Sequence, residues 1–214
     1  MQYLIFDVDG TLINSEQMYW QALSNVLTKY NYSIKFSQFH ETFGKTMEDA
    51  LRILEVDKNA LNIMNEWKSL LPIYNSSINL FPGIIDMLHE LFRSQNVMTC
   101  IATSETMTEF KNNIVPLKLD KYFDAYTLSS EVRRGKPFPD IITCSLGKLR
   151  NIKEQEKDLK DKYVYIGDAY SDLLAAKAAG ISFGLAGWSV KQAERKVFQD
   201  ADYFFEEPND VLKI

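Results

Sequence analysis

Tyr3-Leu4-Ile5-Phe6-Asp7-Val8-Asp9-Gly10-Thr11 stands almost at the start of the chain, and its reading decides the fold. Tyr3 to Val8 is a short apolar run, rich in aromatic and β-branched side chains, and it reads as a buried strand. Asp9-Gly10 then supplies turn chemistry. Two further runs read the same way, Val97 to Ala102 and Tyr163 to Gly167. Weaker strand signals lie at Ala125–Leu128, Ser182–Ala186 and Asp202–Phe204. Helical patterns fall between them, at Ile84–Ser94, Glu105–Ile114, Pro137–Leu149 and Asp172–Ala179. Strands that alternate with helices imply βαβ units, hence an α/β fold whose doubly wound parallel sheet is covered on both faces.

One stretch breaks this rhythm. From Glu16 to Ile78 the sequence shows no convincing strand, and helical patterns appear instead near Gln17–Tyr30, Thr46–Leu54 and Leu61–Leu71. This is too long for one crossover, so it reads as a helical insertion after the first strand, with hinges near Ile13–Ser15 and Ser77–Pro82. The expected organisation is an α/β core from residues 1–14 and 80–214, and a helical domain from residues 15–79. The charged run Lys153 to Lys162 (KEQEKDLKDK) reads as a solvated helix end or loop.

Composition narrows the function classes. Of the 214 residues, 46 % are hydrophobic and 25 % charged, an ordinary globular mixture. The formal net charge of −5 disfavours duplex nucleic acid as a partner, which would need a basic footprint. It does not exclude an anionic substrate, because a metal ion reverses the local field. Cys100 and Cys144 make no disulfide framework and read as two buried thiols. The N-terminus shows no basic region ahead of a long apolar stretch, and no segment has the length and apolarity of a membrane span. The expectation is a soluble, cytoplasmic protein, a monomer or weak dimer.

Polar residues gather where the three clearest strands end: Asp7, Asp9, Gly10 and Thr11; Thr103 and Ser104; Gly167 and Asp168. In a parallel sheet these carboxyl ends lie along one edge, outside which doubly wound folds bind their ligands. Residues two apart in extended chain face the same side, so Asp7 and Asp9 leave the strand together. Two close carboxylates favour a cation, and a hard, oxygen-lined site with few protein ligands suits Mg²⁺, which also accepts phosphate oxygens. An isolated DxDG is read equally well as a strand-end turn. Thr103 and Ser104, before a helix, can hold an anion or serve as a plain N-cap. Lys136, in RRGKPFPD, falls at an expected helix start, where a cation is unfavourable; an anionic partner is one reason for it, and alone it is also read as a solvated lysine. Asp172, in YIGDAYSD, opens the next helix. Each cluster is modest alone; their shared position at strand-to-helix junctions gives them weight together.

With DVDGT, IATS, GKPFPD and GDAYSD in this order, the chain resembles the haloacid-dehalogenase-like superfamily along essentially its whole length. The resemblance is to the branch with a helical cap after the first strand, which holds phosphoglycolate-phosphatase-like and β-phosphoglucomutase-like enzymes. It implies a Rossmann-like core with an inserted helical cap, and a Mg²⁺-dependent phosphohydrolase of small phosphorylated metabolites. Asp7 matches the nucleophile that becomes phosphorylated, and Asp9 the general acid/base. Thr103, with Ser104 beside it, matches the phosphoryl-binding hydroxyl, and Lys136 the lysine that bridges nucleophile and phosphate. The implied metal set is Asp7, Asp9 through its main-chain carbonyl, and Asp168, with Asp172 in support.

Two departures bear on the alternatives. Mutase relatives carry a histidine early in the first cap helix, where this chain has Met18, Tyr19 and Trp20. They also carry an arginine in the cap loop, where this chain has Met47, with Lys45 nearby. Both weaken a sugar-phosphomutase reading, and the acid/base at Asp9 weighs against a catalytically idle sensor on the same fold. Ser15, Tyr19, Lys45 and Thr46 are the candidate cap residues for choosing the substrate, Tyr19 being read equally well as cap core and Trp20 better so. Trp188 is expected near the core edge, and His40 and His89 as surface or packing residues.

Overall fold

The computed structural model describes residues 1–42, 47–152 and 162–214. Lys45, Thr46 and most of the charged run 153–162 lie outside the described residues. The chain divides into two compact units, one of Met1–Ile13 with Leu80–Ile214 and one of Asn14–Asn79.

The first unit is built on β1 (Gln2–Phe6), β4 (Val97–Ala102), β5 (Ala125–Thr127), β6 (Tyr163–Gly167), β7 (Ser182–Ala186) and β8 (Tyr203–Phe205). These form one sheet in the order β5-β4-β1-β6-β7-β8, every neighbouring pair parallel. Helices α5 (Ile84–Arg93), α6 (Met107–Asn113), α7 (Asp140–Ile152) and α8 (Tyr170–Ala179) alternate with the strands. This is the Rossmann-like α/β architecture. Leu4, Ile5 and Phe6 are at most 1 % exposed although successive side chains point to opposite faces, so both faces of β1 are covered. One face packs Tyr3, Ile5, Cys100 and Tyr165 against α7 and α8 through Ile142, Leu149 and Leu173. Each fully buried Leu, Ile or Phe of this kind contributes roughly 1.5–3 kcal/mol.

The second unit holds α1 (Glu16–Lys29), α2 (Phe36–His40), α3 (Met47–Ile53) and α4 (Ala60–Leu70), then a 3₁₀ stretch at Leu71–Ser77. Leu23, Val26, Leu27, Phe39, Leu51 and Ile63 form its core. Tyr19 packs on Trp67 with ring centroids 5.6 Å apart, and the Trp67 indole N–H donates to the Tyr19 carbonyl at 3.2 Å. The two-residue strands β2 (Ile13–Asn14) and β3 (Asn79–Leu80) pair where the chain passes from one unit to the other.

Three sequence expectations are corrected. The helix after β4 begins at Met107, because the Thr106 hydroxyl accepts from the Glu109 N–H and the Glu109 carboxylate accepts from the Thr106 N–H. Thr103 and Ser104 therefore stand before the cap. The helix after GKPFPD begins at Asp140, not Pro137. A residue preceding proline is pushed out of helical conformation, which stops the helix from crossing Lys136-Pro137 or Phe138-Pro139. Lys136 lies ahead of that helix, so the argument from an unfavourable helix terminus does not apply to it. Cys100 is buried, but Cys144 is only partly so. No helix among the described residues is long and apolar enough to cross a membrane.

Candidate active site

Strand register brings the motifs of the first unit together. Phe6 lies level with Ile101 on one side and Ile166 on the other, so Asp7 emerges between the ends of β4 and β6. The Asp7 N–H still donates to the Ile166 carbonyl at 2.9 Å. Beyond it the N–H groups of Thr11, Leu12 and Ile13 converge on the Val8 carbonyl at 3.1, 2.8 and 3.1 Å. That tight turn needs Gly10 twice over. Its φ is +75°, and a Cβ there would overlap the Asp168 carboxylate. The Thr11 hydroxyl donates to Asp168 at 3.2 Å, and the Trp188 indole N–H donates to the Thr11 carbonyl at 3.0 Å.

Lys136 occupies the centre. Its ammonium lies 2.7 Å from Asp7 Oδ1 and 2.7 Å from Asp172 Oδ1, with 6 % of its side chain exposed. It also donates to the Tyr165 hydroxyl at 2.9 Å. The other oxygen of Asp172 accepts from the Ala169 N–H at 3.0 Å, so both its oxygens are engaged within the fold. Carboxylate oxygens of Asp7, Asp168 and Asp172 lie within 4.8 Å of one another. Among the described residues these three acids form the metal-competent cluster; the Asp9 side chain is not part of it.

Charge in the site is unbalanced. Burial pushes the Asp7 carboxyl up to about 7, opposed by Lys136 and reinforced by Asp172 and Asp9. Burial, Asp172 and Asp7 hold Asp168 well above the usual carboxylate range, with Lys136 and Thr11 opposing. Burial alone would lower Lys136, but the Asp172 and Asp7 carboxylates outweigh it and hold the ammonium well above its ordinary value. With one lysine among three acids, ionising all three would leave excess negative charge in a dry place, which is why the Asp7 and Asp168 carboxyls are raised. A hard divalent cation would neutralise it, and all-oxygen donors suit such an ion.

Thr103 is buried at the end of β4, where its N–H donates to the Thr127 carbonyl at 3.1 Å. Its hydroxyl oxygen accepts from the Glu105 N–H at 3.1 Å, which leaves the hydroxyl proton for another acceptor. Ser104 is exposed. Glu105, which sequence reasoning passed over as a helix residue, is 3 % exposed. Asn113 donates to one of its carboxyl oxygens at 2.6 Å, and the other is buried without a hydrogen-bond partner. Its carbonyl accepts from the N–H and hydroxyl of Ser129, at 3.0 and 3.1 Å. Burial first, and Asp9 second, push the Glu105 carboxyl up to about 9. Tyr165 was also missed; within an apolar strand it reads as core. Of the two histidines, His89 bonds the Tyr122 hydroxyl at 2.9 Å and His40 pairs with Glu16 in the helical unit.

Comparisons with known proteins give the family and the fold. A family model described as haloacid dehalogenase-like hydrolase matches residues 4–186. The chain is 25 % identical over 219 aligned positions to a putative pyrophosphatase PpaX of Caldanaerobacter subterraneus subsp. tengcongensis, covering 99 % of this chain and 93 % of the relative. It is 27 % identical to a phosphorylated carbohydrates phosphatase of Thermotoga maritima, covering 85 % and 82 %. The crystal structure of a putative phosphoglycolate phosphatase from Lactobacillus plantarum superposes with a TM-score of 0.83 at 25 % identity, covering 99 % and 98 %.

Proposed function

The chain belongs to the haloacid dehalogenase-like hydrolases, and on that premise we propose that it is a Mg²⁺-dependent phosphatase of small phosphorylated metabolites that works through an aspartyl phosphate at Asp7. The observation that carries this reading is Asp7 at the centre of the sheet edge, held by Lys136 and grouped with Asp168. The relatives named as a phosphatase of phosphorylated carbohydrates and as a pyrophosphatase point to the same substrate class.

A carboxylate and a phosphate monoester repel each other, so the site must first neutralise charge. Asp7, Asp168 and the Asp9 main-chain carbonyl would hold Mg²⁺, which supplies positive charge beside the transferring group. Lys136 adds a fixed ammonium beside Asp7 and Asp172, and the Thr103 hydroxyl donates to a phosphoryl oxygen. Asp7 attacks phosphorus and the bond to the leaving oxygen breaks, while Asp9 gives that oxygen its proton. Water then attacks the acyl phosphate. Asp9 takes the water's proton, and phosphate departs with Asp7 restored. Asp172 holds Lys136 and the turn at Ala169. The helical unit takes the part of the substrate-selecting cap, since the core residues grip only phosphate and metal.

The test is phosphate release from a panel of phosphorylated metabolites. Wild type is expected to lose activity in chelator and regain it with Mg²⁺, Asp168→Ala to need far more Mg²⁺, and Asp7→Asn to be inactive yet folded by circular dichroism. Activity indifferent to chelator, or near wild type in Asp7→Asn, would refute the reading.

A further inference from the structure

An ammonium has three N–H bonds, and all three on Lys136 are engaged within the fold: by Asp7 at 2.7 Å, Asp172 at 2.7 Å and the Tyr165 hydroxyl at 2.9 Å. A phosphoryl group arriving at Asp7 can gain a bond from Lys136 only if one partner gives way. All three bonds are charge-assisted through the ammonium, but the two to carboxylates also join opposite charges and are shorter, so they are the stronger. The phenol is the partner that yields.

We propose that Tyr165 is a positioning residue that occupies the phosphate-facing N–H of Lys136 until the phosphoryl group takes its place. The phenol is built for this exchange. It has one proton, and the Ala102 carbonyl, 3.1 Å away at the end of β4, takes it in preference to Asp172 at 3.4 Å. The oxygen is thereby turned towards Lys136 as an acceptor. Tyr165 is fully buried, and the Lys136 ammonium lies 5.5 Å from its ring centroid, so the lysine keeps a favourable aromatic neighbour after that bond is released. Ala102 immediately precedes Thr103, so one side chain ties the lysine to the strand end that carries the phosphoryl-binding hydroxyl.

This rests on the phosphatase reading but makes a separable claim: Tyr165 competes with phosphate. Tyr165→Phe removes the hydroxyl and leaves the ring. The empty form then holds a buried N–H without an acceptor, which phosphate relieves, so phosphate should bind more tightly. Calorimetric titration of inorganic phosphate into Mg²⁺-saturated wild type and variant reads this directly. Roughly five-fold tighter binding is expected in the variant, the scale of one buried hydrogen bond. Product inhibition should strengthen in parallel, and kcat should fall as phosphate leaves more slowly. A residue that only packs the core would change the unfolding midpoint and leave phosphate affinity alone. Equal or weaker binding in the variant overturns the proposal, and so does failure of both proteins to bind phosphate. Wild type that binds phosphate yet hydrolyses no ester defeats the phosphatase reading alone, because the affinity comparison still decides the role of Tyr165.

Discussion

Glu105 offers a quantitative test of how dry the strand edge is. Its carboxyl is 3 % exposed, receives one hydrogen bond from Asn113, and has a second oxygen with no partner. Burial first, then Asp9, raise it from 4.5 to about 9 in the folded protein. In the unfolded chain it titrates at its ordinary value. Between these two values the folded state holds a proton that the unfolded state has lost, so rising pH favours unfolding. The contribution of the neutral acid is fully present below about pH 4.5, declines through the interval and is gone above the folded value. Glu105→Gln keeps an oxygen for Asn113 and cannot ionise. The two proteins should therefore have similar stability near pH 5, and the variant should gain about 1.4 kcal/mol over wild type per pH unit above it. From about pH 5 to about pH 8 the gap should widen by about 4 kcal/mol. Urea unfolding of both proteins across this range, in chelator so that no cation contributes, measures it. A gap that stays constant, or that turns towards wild type as pH rises, would show that Glu105 is ionised and paired in the fold, and the description of a dry carboxyl would fail.

The same geometry yields further expectations. Gly10→Ala should lose about 1–2 kcal/mol from its left-handed backbone alone, and should also displace Asp168, so the Mg²⁺ needed for half activity rises; an unchanged requirement would contradict the close approach of Gly10 and Asp168. Asp9→Asn should lose more activity with sugar or alkyl phosphates than with aryl phosphates, whose leaving groups need no proton. With the aryl substrate it should show a burst of phenol, with phosphate trapped on the peptide containing Asp7; equal losses without a burst would make Asp9 structural. Burial pushes the Cys100 thiol up to about 12, so a disulfide reagent near pH 8 should modify at most Cys144 in the native protein and both thiols after denaturation.

What the sequence made legible follows the physics of burial. Val97–Ala102, Tyr163–Gly167 and Ser182–Ala186 match their strands residue for residue, because strands covered on both faces read as unbroken apolar runs. The helix Phe36–His40 was invisible, being little more than one turn, too short for a periodicity to repeat. The two-residue strands β2 and β3 carry no pattern at all. The start of α6 was written in the chain as Thr106-x-x-Glu109, a capping box, and the start of α7 in the two prolines that precede it. Both errors came from extending a periodic pattern through local signals that stop it.

The site divides along the same line. Asp7, Asp9, Thr103, Lys136, Asp168 and Asp172 stand out because each is polar at a strand end or in a junction, where a charge has no packing reason to be. Tyr165 and Glu105 have no such mark. One is an aromatic residue inside a strand, the other an acid beside a helix, and both are common in those places. Their parts depend on what lies across the sheet: Ala102 on β4 for the phenol, Asn113 on α6 and Ser129 beyond β5 for the glutamate. Such contacts join residues 8 to 63 positions apart. Periodicity reports which face a residue occupies, and it cannot report which partner waits there. The groups proposed to touch phosphate can be read along the chain, but the partners buried beside them become visible only once strand order and register are known.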